Sequence, residues 1–294
     1  MYYRRKVLLA LLQSFDNKLG KLPLQKLLFL VTRYQKDKAY DFVPYKYGCY
    51  SFQAVSDLGT LKKYKQVVED GETYLGVMQE DFICQLRPED RSAINRVKSL
   101  FGRMESDELT RSTYISYPYY AINSLMAERL LTKEQFEKVK KIRPVKYTPT
   151  LFTVGYEGKT LEEYLNRLIL NDVKLLCDVR SNPLSMKFGF SKSQLQHSCE
   201  SVGIKYVHLP DVGIKSEKRQ DLHSQADYNL LFDDYKLTTL RSTLHIQKYI
   251  LSLLIENKRI ALTCFESNVC QCHRKPLAEA ITKLPGWQFD LIHI

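Results

Sequence analysis

The chain has 294 residues, enough for two domains, and its 44% hydrophobic and 26% charged residues are ordinary for a globular protein in water. No apolar run approaches the roughly 20 residues that a membrane-spanning helix needs. Seven cysteines at irregular spacing argue against the disulfide framework of a small secreted protein. We therefore expect a cytoplasmic protein whose thiols are reduced.

The net charge of +11 is concentrated in the first half of the chain. Residues 1–148 contain 26 Lys and Arg against 17 Asp and Glu, a net charge of +9, whereas residues 149–294 contain 18 against 16, a net charge of +2. A strongly basic half is typical of binding to nucleic acid or to an anionic membrane, although it can also serve solubility alone. We predict nucleic acid or a nucleotide as partner and no membrane partner, and a homodimer stays open.

The chain begins with basic residues followed by an apolar run, as a signal peptide does. Gln13 ends that run after Leu12, and no small-residue cleavage site follows. The same residues place Val7, Leu8, Leu11 and Leu12 on one helical face, and a second apolar face recurs over residues 24–31. The pattern therefore predicts amphipathic helices and no signal peptide.

Residues 1–145 as a whole are predicted to form a mostly helical, winged-helix-like domain. A third helix is expected from Phe52 to Tyr64, and a short β pair from Val67 to Tyr74 turns at Gly71. Three helices followed by a β pair is the element order of a winged helix. Residues 88–140 are again predicted to be helical, with a break near residues 116–119.

The stretch Tyr45-Lys46-Tyr47 alternates aromatic and cationic side chains. Aromatic rings beside cations can stack on bases and contact phosphates. Tyrosines of a small domain can equally lie in its core and at its rim. Both interpretations stay open from the sequence.

Residues 150–294 are predicted to form an α/β domain with a parallel sheet and helices on both faces, because short strands alternate with helices after the prolines Pro144 and Pro149. Strands are expected at 151–154, 173–177, 204–208, 259–264 and 288–293. Thr160 with Glu163, and Ser191 with Gln194, have the spacing of capping boxes. Residues 211–240 are expected to be an irregular surface insertion or lid.

Polar side chains follow each predicted strand except the last. In a parallel sheet, ligands bind beyond the carboxyl ends of the strands, so these side chains are candidates for a binding site. The predicted catalytic residues are Asp178, His208, Glu266 and Cys272. The predicted ligand-binding residues are Tyr156, Glu157, Arg180, His273 and Arg274.

These residue types suit an anionic ligand. Arg180 and Arg274 carry the fork that binds phosphate or carboxylate, and a helix starting near Cys272 would direct free N–H groups at an anion and lower the pKa of that thiol. Asp178 and Glu266 would then act as general acid and base or stabilise an oxocarbenium ion. Purely structural interpretations stay open as well. In these, Asp178 only pairs with Arg180 or caps a turn, and His208 is a core histidine.

Two established kinds of motif are absent from the sequence, and a zinc site is an open but less favoured alternative. A tyrosine-phosphatase loop would need arginine where Cys270 stands, six residues after Cys264. A zinc site from Cys270, Cys272 and His273, completed by Cys264 or His208, has tighter cysteine spacing than usual. Neither a Walker loop nor a glycine-rich dinucleotide motif is present. We therefore predict no metal and no cofactor.

The strand-end segments resemble the domain of unknown function 488 family. They are 153–158, 177–183, 203–210 and 261–266 with Cys272-His273-Arg274, in the expected order. The resemblance implies a compact α/β domain and no settled reaction. The segment 184–190 departs from it, since Met186 stands where arginine is common, which puts substrate choice in doubt. Residues 24–30 with 45–51 resemble phage-associated and Panacea-type antitoxin proteins, which implies a prokaryotic setting.

The leading hypothesis is an enzyme that acts on nucleic acid or a nucleotide, hydrolysing a phosphate- or glycosidic-bearing centre while the basic N-terminal domain holds the polymer. One alternative is a non-catalytic nucleotide or DNA sensor that uses the same pocket. Another is an interaction module in a toxin–antitoxin or phage-defence system.

Overall fold

The computed structural model describes residues 1–77, 79–219 and 222–294. The chain forms two compact units, Met1–Arg143 and Pro144–Ile294. Among the described helices none combines the length and the apolar character that crossing a membrane requires.

The N-terminal unit is mostly helical, as predicted. Its helices are α1 (Tyr3–Ser14), α2 (Lys21–Tyr34), α3 (Phe52–Lys63), α4 (Pro88–Phe101), α5 (Ser106–Ser116), α6 (Ala127–Leu130) and α7 (Lys133–Ile142), with a 3-10 helix at Pro118–Ala121. Its strands are β1 (Lys18–Gly20), β2 (Val43–Tyr45), β3 (Gly48–Tyr50), β4 (Val67–Asp70) and β5 (Thr73–Gly76).

Two small antiparallel sheets accompany these helices. One has the strand order β1-β5-β4, and the other is the β2–β3 hairpin. The predicted apolar residues of α1 and α2 are buried in one core. Residues 7–12 and 24–32 are all buried, so these segments are enclosed on every side and not only along one apolar face. Glycine is required at the hairpin turn, since Gly48 has φ +95° and a Cβ there would lie 2.5 Å from the Tyr114 ring.

The C-terminal unit alternates strands and helices. Its strands are β6 (Thr150–Gly155), β7 (Leu175–Asp178), β8 (Lys205–His208), β9 (Arg259–Cys264) and β10 (Asp290–His293). Its helices are α8 (Leu161–Leu170), α9 (Lys192–Ser201), α10 (Gln225–Leu237), α11 (Thr239–Ser242), α12 (Leu244–Asn257) and α13 (Arg274–Ile281), with 3-10 helices at Pro210–Val212, Ser216–Arg219 and Val269–Gln271.

All strand pairs of this sheet are parallel, and the strand order is β10-β6-β9-β7-β8. Alternate residues of β9 face opposite sides. Leu262 packs in a core with residues of α12 and α13, while the Thr263 hydroxyl accepts a hydrogen bond from Tyr164 of α8 at 2.7 Å. Helices therefore flank the sheet, which confirms the predicted fold class.

Two local predictions in this unit are wrong. Ser191 precedes α9, but its hydroxyl does not cap the helix; it bonds to Ser185, and the Gln194 side chain accepts from Gly189 N. The segment 211–240 was expected to be irregular, yet it contains the 13-residue helix α10, whose Ser224 and Asp227 form a capping box. Residues 220 and 221 of that segment lie outside the described residues.

Candidate functional site

The site lies at the carboxyl ends of the three central strands. Pairing in register puts Gly155 of β6 beside Cys264 of β9, and Asp178 of β7 beside Thr263. Because β9 is the middle strand, the loop that follows it runs directly over the ends of its two neighbours. This loop, Phe265–Gln271, leads to Cys272 and then to α13.

Five side chains that carry ionisable groups converge at the end of β9. Cys264, Cys272 and His273 are 2%, 0% and 1% exposed, and their Sγ, Sγ and Nδ1 atoms all lie within 4.8 Å of one another. The Cys264 Sγ is 3.6 Å from the His273 Nδ1 and 3.3 Å from a Glu266 carboxylate oxygen. Arg219, at the end of the 3-10 helix Ser216–Arg219, completes the group, which we call the Cys264 cluster.

Arg219 links the other members of the Cys264 cluster. It forms an ion pair with Glu266, and its Nη2 donates to the His273 Nδ1 at 2.6 Å. The opposite ring nitrogen, Nε2, is 2.9 Å from the Val179 carbonyl and must donate to it. His273 is therefore the tautomer with its proton on Nε2 and a lone pair on Nδ1, facing the cysteines.

The cluster shifts the titration of its members. Burial raises the pKa of Glu266, and the neighbouring Cys264 adds to the increase, while Arg219 opposes it. Burial also favours the neutral thiol of Cys264, but the hydrogen bond from Cys272 and the charge of Arg219 act in the opposite direction, and the pKa of Cys264 lies well below its ordinary value. Burial and the Cys264 group raise the pKa of Cys272, so Cys264 ionises first.

Asp178 and Arg180 form a closed ion pair. Asp178 accepts from the Arg180 Nε at 2.8 Å and Nη2 at 2.5 Å, and from the Tyr206 hydroxyl at 2.6 Å. The Nη1 of Arg180 donates to the Tyr156 hydroxyl and to the Phe190 carbonyl, both at 2.8 Å. Asp178 is fully buried, and its carboxylate is hydrogen-bonded to Arg180 and Tyr206, in agreement with the structural interpretation of this residue.

Arg274 and Glu157 secure the loop after β9. Arg274 is 1% exposed and donates to the carbonyls of Glu266 and Ser267, and the Glu157 carboxylate accepts from the Ser267 N–H at 2.9 Å. The guanidinium of Arg274 is therefore an internal support of the loop, and the position gives it no route to an external anion.

The remaining predicted residues lie at the same edge. Tyr156 is 3% exposed, and its ring stacks on Phe190 at 4.2 Å. His208 ends β8 and places its Nε2 2.9 Å from the Arg180 carbonyl, in contact with the ion pair and outside the Cys264 cluster. Of the predicted catalytic residues, only Glu266 and Cys272 thus belong to that cluster.

A pocket of about 290 Å³ opens onto the cluster. Cys264, His273 and Arg219 form one wall, whereas Cys272 is not among its lining residues. The opposite side is formed by the loop after β7, which includes Met186, a fully exposed residue. The Nε of Arg219 is buried and has no hydrogen-bond partner among the described residues. Arg219 therefore brings a cation to the wall of the pocket, while its ion-pair partner Glu266 is not among the lining residues.

Residues 160–281 match the family model of DUF488, a domain of unknown function. This match confirms the family resemblance that the strand-end segments predicted. The DUF488 match ends at Ile281, the last residue of α13, and so it contains every member of the Cys264 cluster. A comparison with curated proteins finds no match.

Two members of the cluster in the DUF488 region were missed as site residues. Cys264 looked like the buried end of a strand, and its burial is real; its proximity to Cys272 and His273 arises from the turn that returns the chain to the sheet. Arg219 lay in a segment interpreted as irregular. The adjacent Lys218 and Arg219 were a signal of local charge, but nothing in the spacing connects them to β9.

Proposed function

We propose that the C-terminal unit is a hydrolase acting on a phosphate-bearing centre of a nucleotide or nucleic acid, in the pocket beside the Cys264 cluster. The observation that supports this most is that Arg219, which lines that pocket, forms an ion pair with the carboxylate of Glu266 beside it. Clusters of buried ionisable groups in a cleft are typical of active sites. Arginine suits a phosphate because its fork matches two phosphate oxygens.

Phosphate chemistry is favoured over glycosidic cleavage by the state of Asp178. Glycosidases use two carboxyl groups on either side of the scissile bond. Asp178 is fully buried and saturated by Arg180 and Tyr206, so Glu266 is the carboxyl group that remains near the pocket. In this proposal Arg219 binds the anion, Glu266 transfers the proton, and Asp178 with Arg180 positions Tyr156.

The test is turnover by the full chain. Purified protein is incubated with nucleoside triphosphates, RNA and single- and double-stranded DNA, with and without divalent cations, and released phosphate and new strand ends are measured. Removing a general acid or base costs about 10²–10⁴-fold in rate, so we expect Glu266→Gln to lower kcat at least 100-fold with little change in KM.

Glu256→Gln is the matched control, because Glu256 is exposed on α12 and the chemical change is identical. It should retain wild-type turnover. Equal activity of Glu266→Gln and Glu256→Gln would remove Glu266 from the mechanism. Binding of a nucleotide without turnover of any substrate by the wild-type protein would replace the enzyme with the sensor alternative.

A second proposal concerns nucleic-acid binding by the N-terminal unit. The order α1, β1, α2, α3, β4, β5, with the sheet order β1-β5-β4, supports a winged-helix-like arrangement with the β2–β3 hairpin inserted. The β4–β5 hairpin carries Glu69 and Asp70 at the end of β4 and Glu72 in the turn, and these acidic groups would repel phosphate. We therefore propose the hairpin tip as the contact, where Lys46 is exposed and Tyr47 is 51% exposed.

Tyr47→Ala tests this contact. Stacking of one base on an aromatic ring contributes about 1–3 kcal/mol, so the substitution should weaken single-stranded DNA or RNA binding roughly 5- to 150-fold in an anisotropy titration. Tyr249→Ala, which removes a 48% exposed tyrosine from α12, is the control and should bind normally. Unchanged affinity of Tyr47→Ala would rule out the hairpin tip.

A further inference from the structure

We propose that Cys264, Cys272 and His273 bind a zinc ion. Thiolate and imidazole are the ligands that zinc prefers, and a set of three protein ligands leaves one position for water or substrate. These three side chains bring their Sγ, Sγ and Nδ1 atoms within 4.8 Å of one another in a buried group. Zinc binding itself is independent of the proposed hydrolysis; only the role of the ion in catalysis rests on that function.

The distances fit a tetrahedral ion. With Zn–S near 2.3 Å and Zn–N near 2.05 Å, tetrahedral geometry requires a separation of about 3.6 Å between a sulfur and a nitrogen ligand. The Cys264 Sγ and the His273 Nδ1 are 3.6 Å apart. No rearrangement of these two ligands is needed to accommodate the ion.

The orientation of His273 supports the same assignment. Metal-binding histidines usually donate their second ring N–H to a carbonyl or carboxylate, which fixes the tautomer and directs the other nitrogen at the ion. His273 donates from Nε2 to the Val179 carbonyl at 2.9 Å, and its Nδ1 lone pair faces the two thiols. The support behind the ligand is thus already present.

Arg219 occupies the place that the ion would take at His273. Its Nη2 is 2.6 Å from the Nδ1 and 4.0 Å from the Cys264 Sγ. The same lone pair cannot accept from Arg219 and bind zinc, so ion binding must displace the guanidinium toward the pocket. The displaced Arg219 would be freed to contact a substrate phosphate, and the open position of the ion could supply an activated water.

The competition makes a distinctive prediction. Arg219→Met removes the guanidinium that competes with zinc for the His273 Nδ1, so this variant should bind zinc more tightly. The affinity should rise about tenfold if displacing the guanidinium costs 1.4 kcal/mol. A structural role of Arg219 that does not involve the ion would leave the affinity unchanged.

The test uses the full chain, reduced and freed of metal. Cobalt(II) is titrated first, and thiolate-to-cobalt charge-transfer absorption with the intense d–d bands of four-coordinate cobalt is expected at one ion per chain. Zinc should then displace the cobalt. Losing only an outer partner of a ligand costs roughly 10–100-fold in affinity, so Cys272→Ser and His273→Gln should lose at least about 100-fold.

Cys270→Ser is the matched control, because Cys270 is exposed and lies two residues from Cys272 but outside the cluster. It should bind cobalt as the wild type does. If Cys272→Ser does not fold, alkylation of the wild type decides: zinc should protect Cys264, which lines the pocket, while the exposed Cys84 and Cys270 react at unchanged rates.

Three results would overturn the proposal: absence of thiolate–cobalt absorption, equal binding by Cys272→Ser and Cys270→Ser, or no protection by zinc. A native intact mass lower by two hydrogens, with the Cys264–Cys272 peptides linked, would identify a disulfide in place of the metal site. Zinc binding without turnover would contradict the proposed hydrolysis and leave the zinc site intact. Turnover by metal-free protein would contradict a catalytic role of zinc and leave the hydrolase intact.

Discussion

Gly155 is the position where one methyl group would disturb the site most. A Cβ at this residue would lie 1.9 Å from the Glu266 carbonyl oxygen and 2.7 Å from its carbon. A Cβ essentially never approaches another atom within 3.0 Å, so in Gly155→Ala the loop must retreat by at least 1.1 Å. The loop after β9 can therefore contact the end of β6 only because Gly155 has no side chain.

That retreat cannot be local. The carbonyl of Phe265 accepts from the backbone N–H groups of Tyr156 and Glu157, and Arg274 donates to the Glu266 carbonyl. Overpacking costs about 1–3 kcal/mol, and a hydrogen bond to a charged donor contributes about 1.5–3 kcal/mol. We expect Gly155→Ala to lower the free energy of unfolding of the C-terminal unit by about 3 kcal/mol or more.

Trp287 makes the measurement specific. It is the one tryptophan of the chain and lies in the C-terminal unit, so its fluorescence during urea unfolding reports that unit. With a slope of about 1.5 kcal/mol per molar urea, the midpoint should fall by roughly 2 M.

Gly158→Ala is the control for Gly155→Ala. Gly158 has φ +73° but no atom within 4 Å of an added Cβ, so the change costs only backbone strain, about 1 kcal/mol. If Gly155→Ala lost no more stability than Gly158→Ala, the close approach of the Glu266 carbonyl to β6 would be refuted.

Three further predictions concern buried or capping groups. Asp178→Asn should cost about 3–5 kcal/mol in the Trp287 assay because Arg180 loses its buried partner, and the double change with Arg180→Met should cost less; equal losses would contradict the pairing. Thr160→Ala should cost about 1 kcal/mol in the same assay by removing the cap of α8, and no loss would contradict the capping box. Burial lowers the pKa of Lys26, so the unfolded chain binds more protons and stability should rise as pH increases toward the ordinary lysine pKa. Hydrogen exchange of the α2 amides, followed as the pH approaches the ordinary lysine pKa, should show this rise in the wild type and lose it in Lys26→Met; an identical pH dependence would contradict a buried Lys26 amine.

Local signals in the sequence were sufficient for much of the fold. Thr160 and Glu163 form the predicted capping box because both hydrogen bonds span only three residues. β9 has the predicted bounds, since a six-residue, mostly apolar run that includes the β-branched Ile260 and Thr263 is typical of a buried strand and short for a helix. Ser191 had the same type of signal and failed, because the loop after β7 offered its hydroxyl a nearer partner in Ser185.

The site was predicted less completely than the fold. Strand ends could be located, so the edge of the sheet and the residues Glu266, Cys272 and His273 were identified. The partner of each charged group depends on contacts distant in the chain, as between Arg219 and His273, which are 54 residues apart. Burial also changes the expected role of Arg274. It was expected to face a ligand, but its two terminal nitrogens donate to backbone carbonyls of its own loop.

The position of β9 has a consequence for how the C-terminal unit is assembled. β6 and β7 follow one another along the chain but never pair, because β9 lies between them. During synthesis, β6 therefore has no neighbour until about 110 further residues have been made, and only β7 and β8 can associate early. The strand that carries Cys264 is thus the one that joins the sheet's two halves, so the pocket and the complete sheet should form in the same late step of folding.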